Sequence, residues 1–563
     1  MRTADLVVLA AYFVTMVTVG VAYSRQKTSD MYFAGGRQLS WWLGGVSFFM
    51  ANVSALSIVV YAGLGFRYGL VALTLYGTSI PATLLTTWLF ARRWRRAGVI
   101  TPTEFLERRF SSLVRQVLAW SGIPLRVVDE ALKIVAVGIF VSAGLHISPN
   151  VAMLAVGLTI LLYSVLGGLW AVVVTVFVQF VLVSGAVVLL LPLTLRATGG
   201  WEKFLAAVPA GFFAPANETY GWSYLGAFLV LICISTAGNW SMVQKFYSAR
   251  SDREARGAGW LAALLFLVLP PFWIFTGMLA RGFVPIGSLD PQSIYGHLAA
   301  RLLPTGMLGL VVAALFAATM SVLSNGYNVL SSVLTVDIYQ RLIRPRASQR
   351  ELVLVGRLLT GTVGLVVLAL ALTITYFQWT IFDTMVAAFG LLVPPTVLPV
   401  LAGLSSRRLS ARGALAGFAA GTATGLAFTV YKWVGVPASP TSFQALGIVV
   451  STLSTVLVLA GAALWFPARG EAAERASQFF AALDRPSTPA EVTVASPAPI
   501  AGLVIGIMGV VLFVIGLGVL PSTSVSVVTL IMGVVFAAIG VAMAASLWIS
   551  RTRTARTTTA SAR

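Results

Sequence analysis

Long apolar runs separated by short polar loops fill most of this chain. They fall near residues 4–24, 41–66, 70–91, 117–146, 150–168, 171–195, 222–246, 257–280, 306–336, 352–376, 381–404, 412–433, 441–466, 498–519 and 525–549. Each is close to or beyond the roughly 18–20 residues that cross a bilayer as a helix, so the pattern predicts about fifteen spans. The spans must be helical because backbone polar groups in lipid have to satisfy one another within the segment. A closed β-barrel would instead show short segments of alternating polarity. The expected fold is therefore an all-α integral membrane protein.

Composition agrees. The chain has 563 residues, of which 58% are hydrophobic and 10% charged, and its mean hydropathy is +0.91. The formal charge of +20 would suit a nucleic-acid binder if the basic residues shared one face. Their positions say otherwise. Sorting Lys and Arg by alternating loops puts about 29 on one side and about 7 on the other, the positive-inside asymmetry. The clusters Arg92–Arg96, Arg341–Arg350, Arg407–Arg412 and Arg551–Arg563 then all face the cytoplasm. The N-terminus is expected outside and the C-terminus inside, in the cell membrane, with no nucleic-acid partner.

The first run carries its basic flank, Arg25 and Lys27, after the apolar stretch, which suits an uncleaved span rather than a signal peptide. Cys233 is the only cysteine, so neither a disulfide framework nor a thiolate metal cluster is expected. The largest polar segment, 467–497, reads as a cytoplasmic linker with one amphipathic helix over Glu471–Leu483. Outer loops 196–221 and 282–305, with adjoining Trp222, hold Trp201, Phe212, Tyr220 and Tyr295, as interfacial aromatics or as an extracellular gate. Gly413, Gly417, Gly421 and Gly425 share one helix face, for close packing within the chain or in a dimer seam.

Four charges interrupt the fourth span: Arg126, Asp129, Glu130 and Lys133. Charges at such depth are costly and mark function by default. The 126/130 and 129/133 spacings allow pairing within one helix, leaving no net charge. Lys133 or Glu130 could alternatively respond to protons, since burial disfavours either charge.

The stretch Gly167-Gly168-Leu169-Trp170-Ala171-Val172-Val173-Val174-Thr175-Val176-Phe177-Val178-Gln179 resembles the G-G-x-x-A-V-x-x-T-D-x-x-Q signature of the sodium:solute symporter family, with Val176 where the family has aspartate. Further stretches are similar in the same order: Ser40–Ser47, Asn52–Ala55, Thr103–Phe110, Met242–Arg250 with Glu254–Arg256, and Ser331–Tyr339. The resemblance covers roughly residues 30–405. It implies a leucine-transporter type of fold, in which five spans repeat inverted in the next five. The core is then 41–405, with halves 41–200 and 220–405. An extra helix and loop at 1–40, further helices at 406–466, the 467–497 linker, two helices at 498–550 and a basic tail at 551–563 complete the chain.

Such folds bind solute near the midplane, at broken helices. Asn52, Ser54 and Ser57 in the second span, with Ser235 and Asn239 in the seventh, are the candidate solute-binding residues. By the resemblance, the sodium site would take carbonyls from Met50, Val53 and Ala318 and a hydroxyl from Ser321. Val176 and Val322 stand where the family has a carboxylate and a second hydroxyl, so the site is expected to be weakened. Asp129, Glu130 and Lys133 are the candidates for an alternative coupling role. Asn239 matches a solute-binding asparagine of the sugar-transporting branch, whereas that branch's glutamine and lysine are Ser57 and Phe266 here. The spacing from Ser54 to Gly69 is that of the monocarboxylate and iodide branch, with Arg67 at the outer mouth.

The expected function is secondary transport of a small polar organic solute such as a sugar or carboxylate, coupled to Na+ or H+. An uncoupled facilitator and a membrane sensor with a transporter fold stay open. No enzyme is expected: His146 and His297 lack metal-ligand spacing, and no nucleophile–base constellation is present. No cofactor is expected beyond the coupling ion, and the oligomeric state cannot be read.

Overall fold

The computed structural model describes residues 39–99, 104–145, 147–166, 170–304, 306–433 and 440–485, with scattered positions between 3 and 14 and between 506 and 541. Most of the last two expected spans, the basic tail, most of the first span and Gly167–Leu169 of the fingerprint lie outside the described residues.

The described elements are helical. They run α1 (Trp41–Met50), α2 (Ala55–Tyr68), α3 (Val71–Gly77), α4 (Ser79–Arg96), α5 (Glu104–Arg109), α6 (Ser112–Leu145), α7 (Pro149–Leu166), α8 (Trp170–Thr198), α9 (Trp201–Ala207), α10 (Trp222–Gly238), α11 (Trp240–Tyr247), α12 (Asp252–Val268), α13 (Pro270–Ala280), α14 (Ile294–Leu302), α15 (Met307–Ser332), α16 (Gln349–Tyr376), α17 (Ile381–Ser405), α18 (Ala411–Trp433), α19 (Pro440–Trp465) and α20 (Glu471–Asp484). Seven segments are long and apolar enough to cross a membrane, or up to ten if each bent pair forms one span. That count covers the described residues only and does not reach the fifteen expected.

Two of the bent pairs matter here. The expected second span is α1 and α2, bent by 61°, and the seventh is α10 and α11, bent by 49°. Around these breaks α12 packs on α1, α13 on α2, α6 on both α2 and α15, α8 on α15, and α17 on α10. The most central long helix is α15, whose span is 94% buried within its apolar stretch. Gly306 N and Gly309 N at its start donate to Asp5 Oδ1, at 2.8 and 3.2 Å. A carboxylate there satisfies amide donors that the first helical turn leaves open.

The glycine face of α18 is spent inside the chain. A Cβ added at Gly413, Gly417 or Gly421 would strike Ala462, Leu459 or Thr455 of α19, and one at Gly425 would strike Leu391 of α17. The amphipathic helix expected at 471–483 is α20. It docks Phe479, Phe480 and Leu483 against the rest, with Phe479 stacked 5.9 Å from Phe105 of α5. Arg96 Nη1 donates to the Leu483 and Asp484 carbonyls at 3.2 and 3.3 Å, and Arg407 pairs with Asp484 at 2.8 Å. Guanidinium groups at a helix C-terminus serve its unpaired carbonyls and favour its dipole.

Candidate functional site

Helix α1 stops because Asn52, Val53 and Ser54 leave the helical track. Ser54 is extended at φ −140° and ψ −179° and caps α2. Ser57 Oγ accepts from Ser54 N at 3.2 Å and donates to Ser54 O at 2.9 Å, tying the first turn of α2 to its N-cap. The Ser57 hydroxyl is thus committed to starting the second helix, and Asn52 is exposed. Met50 and Val53 are buried at the break. The carbonyls at the end of α1 have no partner one turn onward in their own helix, apart from local turn bonds such as Val53 N to Met50 O at 3.2 Å.

The start of α2 is fixed to α15. Ala55 N donates to Thr319 Oγ1 at 3.1 Å, which sets the break beside Ala318. Three residues on, Ser321 Oγ lies 3.0 Å from Ala318 O and 3.1 Å from Gln179 Oε1 of α8. Gln179 Nε2 in turn donates to Ala317 O at 3.1 Å. A hydroxyl has one proton and serves one of its two acceptors at a time, so an oxygen lone pair stays open at this junction. Val176 and Val322 are both half-buried. Ala318, Ser321 and the start of α2 are therefore neighbours, as a hard cation's oxygen ligands must be. The donor set fits sodium in kind, being neutral oxygens. Among the described residues no group of three His, Cys, Asp or Glu side chains is placed to hold a metal.

Gln179 was not among the residues singled out from the sequence, although it closes the fingerprint. Its signal was available: it is the only amide in a helix that is otherwise apolar or small up to Arg196 in its last turn.

At the second break, Asn239 caps α11. Its Oδ1 accepts from Ser241 N at 3.0 Å and Met242 N at 3.4 Å, which leaves its amide hydrogens for other partners. Gly238 permits the contact with α17, since a Cβ there would strike Val397. A cavity opens at this point. It is lined by Ser235, Gly238, Asn239 and Trp240, by Leu118, Gly122, Leu125, Arg126 and Asp129 of α6, by Phe389, Val393, Thr396, Val397 and Val400 of α17, and by Leu106 of α5. Ser54 and Ser57 are not among its lining residues, so the five solute candidates are not gathered in one place.

Of the two i,i+4 pairs expected in α6, 129/133 forms and 126/130 does not. Lys133 Nζ holds both carboxylates, Asp129 Oδ2 at 2.9 Å and Glu130 Oε2 at 3.0 Å. Glu130 is 1% exposed and takes its room from Gly326 of α15, where any Cβ would strike its carboxylate. Arg126 is consequently not Glu130's partner. Its Cζ sits 5.3 Å above the Trp240 ring at the cavity wall, a favourable cation–π placement. The reason is geometric: the ammonium reaches one turn back to both acids, while Arg126 sits a turn further along, beside the α10–α11 break.

On the side away from the basic loops an aromatic cluster closes the bundle. Tyr61 packs on Tyr76 at 4.7 Å and on Phe382 at 6.0 Å. Phe382 also meets Tyr220 and Phe228, each at 5.8 Å, and Tyr68 meets Tyr220 at 5.2 Å. Of the outer-loop aromatics, Phe212, Tyr220 and Tyr295 are buried, whereas Trp201 and Trp222 are exposed.

The family model described as the sodium:solute symporter family matches residues 32–421. Sodium/myo-inositol cotransporter 2 of Sus scrofa is 28% identical over 484 residues, which span 77% of this chain and 71% of that protein. Sodium/glucose cotransporter 2 of Rattus norvegicus is 28% identical over 478 residues, 75% of this chain and 71% of that protein. The solved structure of a Na+-coupled sialic acid symporter, substrate-bound and outward-open, superposes with a TM-score of 0.69 at 22% identity, covering 83% of this chain and 99% of that one.

Proposed function

The chain belongs to the sodium:solute symporter family, and from that premise we propose that it moves a small polar organic solute across the cell membrane by alternating access, drawn by a cation gradient. The observation that carries this reading is the pair of interrupted helices, α1/α2 and α10/α11, the second of which borders a mainly apolar cavity holding a few polar groups. Interrupted helices aim backbone dipoles and carbonyls at a solute and its ion. Their corresponding places support the 5+5 inverted repeat over 41–405. With the basic loops on the cytoplasmic side, the aromatic cluster around Phe382 is the closed outer gate. The cavity beside α5 is then an inward-facing vestibule.

Sodium would be held by the carbonyls of Met50, Val53 and Ala318 and by Ser321, with Gln179 as neighbour. The valines at 176 and 322 make that site weaker than one with a carboxylate and two hydroxyls. A fixed charge about 4 Å away is worth about 4 kcal/mol at an effective dielectric of 20. The Asp129–Glu130–Lys133 cluster favours a second reading, in which these groups couple transport to protons. Uptake into proteoliposomes under separately imposed sodium and proton gradients decides between them. Sodium-driven uptake that survives collapse of the proton gradient supports the first reading. Uptake under neither gradient leaves a facilitator if solute equilibrates, and a sensor if it binds without crossing.

A further inference from the structure

We propose that α20 is a regulatory strap: docked, it holds the cavity at the α10–α11 break in its present form, and its release frees that cavity to change sides. This rests on the alternating-access reading above and adds to it a restraint carried by the chain itself.

The cavity has two walls, each tied to a different element. On one wall the last carbonyls of α10 lack helical partners, and Trp94 Nε1 of α4 donates to Ala237 O at 3.3 Å. On the other, Leu106 of α5 stands with Val393, Val397 and Val400 of α17. Arg109, 2% exposed, binds α5 to the loop after α17 by donating to Ser406 O at 2.8 Å and to Leu409 O at 2.9 Å. The seam between the walls is the edge-on contact of Trp94 with Phe105, at 5.5 Å.

Helix α20 lies across that seam. Its Phe479 stacks on Phe105 with the rings inclined by 22°. Its Phe480 lies beneath Arg109 and Arg407, whose Cζ atoms are 5.7 and 5.4 Å from the ring centre. Its last carbonyls take Arg96 of α4, which Asp252 of α12 holds at 2.6 Å. Just before α20, Ala468 N donates to Arg408 O at 2.8 Å. The strap therefore grips α4 with its C-terminus, and α5 and the 406–409 loop with its apolar face. Any shift of one wall against the other shears these contacts. A contact moves an equilibrium only by the difference it makes between the two states, and this one exists only while both walls keep their present register. Apolar burial does most of the holding, since an exposed ion pair such as Arg407–Asp484 is worth little.

The test uses the full-length protein in oriented vesicles, with Cys233→Ser and Ser235→Cys as the parent, so that one thiol on the cavity wall reports which side is open. Phe479→Ser with Phe480→Ser removes the aromatic anchors and alters no residue of the spans. Asp484→Arg, in a separate variant, sets like charges against Arg407, and adding Arg407→Asp restores the pair. Release of the strap is read as faster tryptic cleavage after Arg475. A membrane-impermeant thiol reagent is then applied from each side, with sodium chloride or with choline chloride in its place. The expected result is that the double serine variant reacts about tenfold faster than the parent from the side opposite the basic loops, as loss of buried aromatic anchors implies. Asp484→Arg should do the same to a smaller extent, and Arg407→Asp should reverse it. A merely structural α20 would lower the melting temperature and leave the ratio of the two rates alone. The proposal is overturned if the strap is released and the rates at position 235 stay as in the parent. It is overturned equally if the strap stays protected from trypsin in both sets, because the named contacts then do not hold it. Failure of the alternating-access reading looks different: in the parent itself, sodium leaves both rates unchanged.

Discussion

Ser321 Oγ lies 3.1 Å from Gln179 Oε1, joining α15 to α8 beside the first helix break. Val176 precedes Gln179 by three residues and Val322 follows Ser321 directly, so both valines border this junction in sequence. Restoring oxygen there has a defined consequence. The double variant Val176→Asp with Val322→Ser should lower the sodium concentration for half-maximal uptake by at least about tenfold, given the Coulomb gain of a nearby carboxylate. A sodium titration of uptake in proteoliposomes checks it; an unchanged half-saturation places the ion elsewhere.

Gln179 itself bridges two points of α15, through Ala317 O and Ser321. Gln179→Leu should destabilise the fold by about 1–3 kcal/mol, the usual cost of stranding buried polar groups. It should also weaken sodium dependence. Gln179→Glu, which keeps the shape and adds a carboxylate, should strengthen sodium binding, measured by the sodium-induced rise in melting temperature.

Lys133 holds two acids in the interior, and one of them, Glu130, is 1% exposed. Removing one partner of such a pair typically costs about 3–5 kcal/mol, because an uncompensated charge stays behind. Lys133→Ala alone should therefore unfold at a much lower temperature, and adding Glu130→Gln should recover most of the loss. A double-mutant cycle on melting temperature measures this. Recovery of stability without uptake would mark Lys133 as part of transport, whereas recovery of both would make the cluster a local scaffold.

At the basic loops, Glu107 takes hydrogen bonds from Arg341, at 3.2 Å, and from Arg115, at 2.5 Å. Those bonds, Arg341's foremost, hold its carboxyl below the ordinary value of 4.5. A depressed carboxyl stabilises the folded state above its ordinary value and loses that contribution as pH falls through the lowered one. Part of the acid-side loss of melting temperature, from just above pH 4.5 downward, should thus disappear in Glu107→Gln. Because the group is partly exposed and screened, the effect should shrink further at high salt. An acid limb identical in the two proteins would assign it to other groups.

Much of this was legible in the residues and some was not. The run lengths required membrane helices, and small polar residues at 52–57 and at 235–239 marked where two of them break. Yet those residues do different work at the two breaks: Ser57 spends its hydroxyl on the Ser54 backbone at the start of α2, while Asn239 caps with its oxygen and keeps its amide hydrogens. Spacing alone paired Arg126 with Glu130 and Asp129 with Lys133. It could not foresee one ammonium reaching both acids, which depends on Gly326 of a distant helix making space for Glu130. Gln179 escaped notice because its partners, Ala317 and Ser321, lie far away in sequence and meet it only through packing of α8 on α15. The span count was read from the lengths of apolar runs, whereas tertiary packing decides where such a run bends.

The central claim is that the cavity at the α10–α11 break opens to one side of the membrane at a time. Cys233 is the only cysteine, so Ser235→Cys in a Cys233→Ser background places one thiol on the cavity wall. The decisive measurement is the rate at which a membrane-impermeant thiol reagent reacts with it from each side of oriented vesicles, with and without sodium. The account predicts reaction from the side of the basic loops at rest, and sodium shifting reactivity toward the opposite side. Equal reactivity from both sides, or a rate that no ion or solute changes, would contradict it.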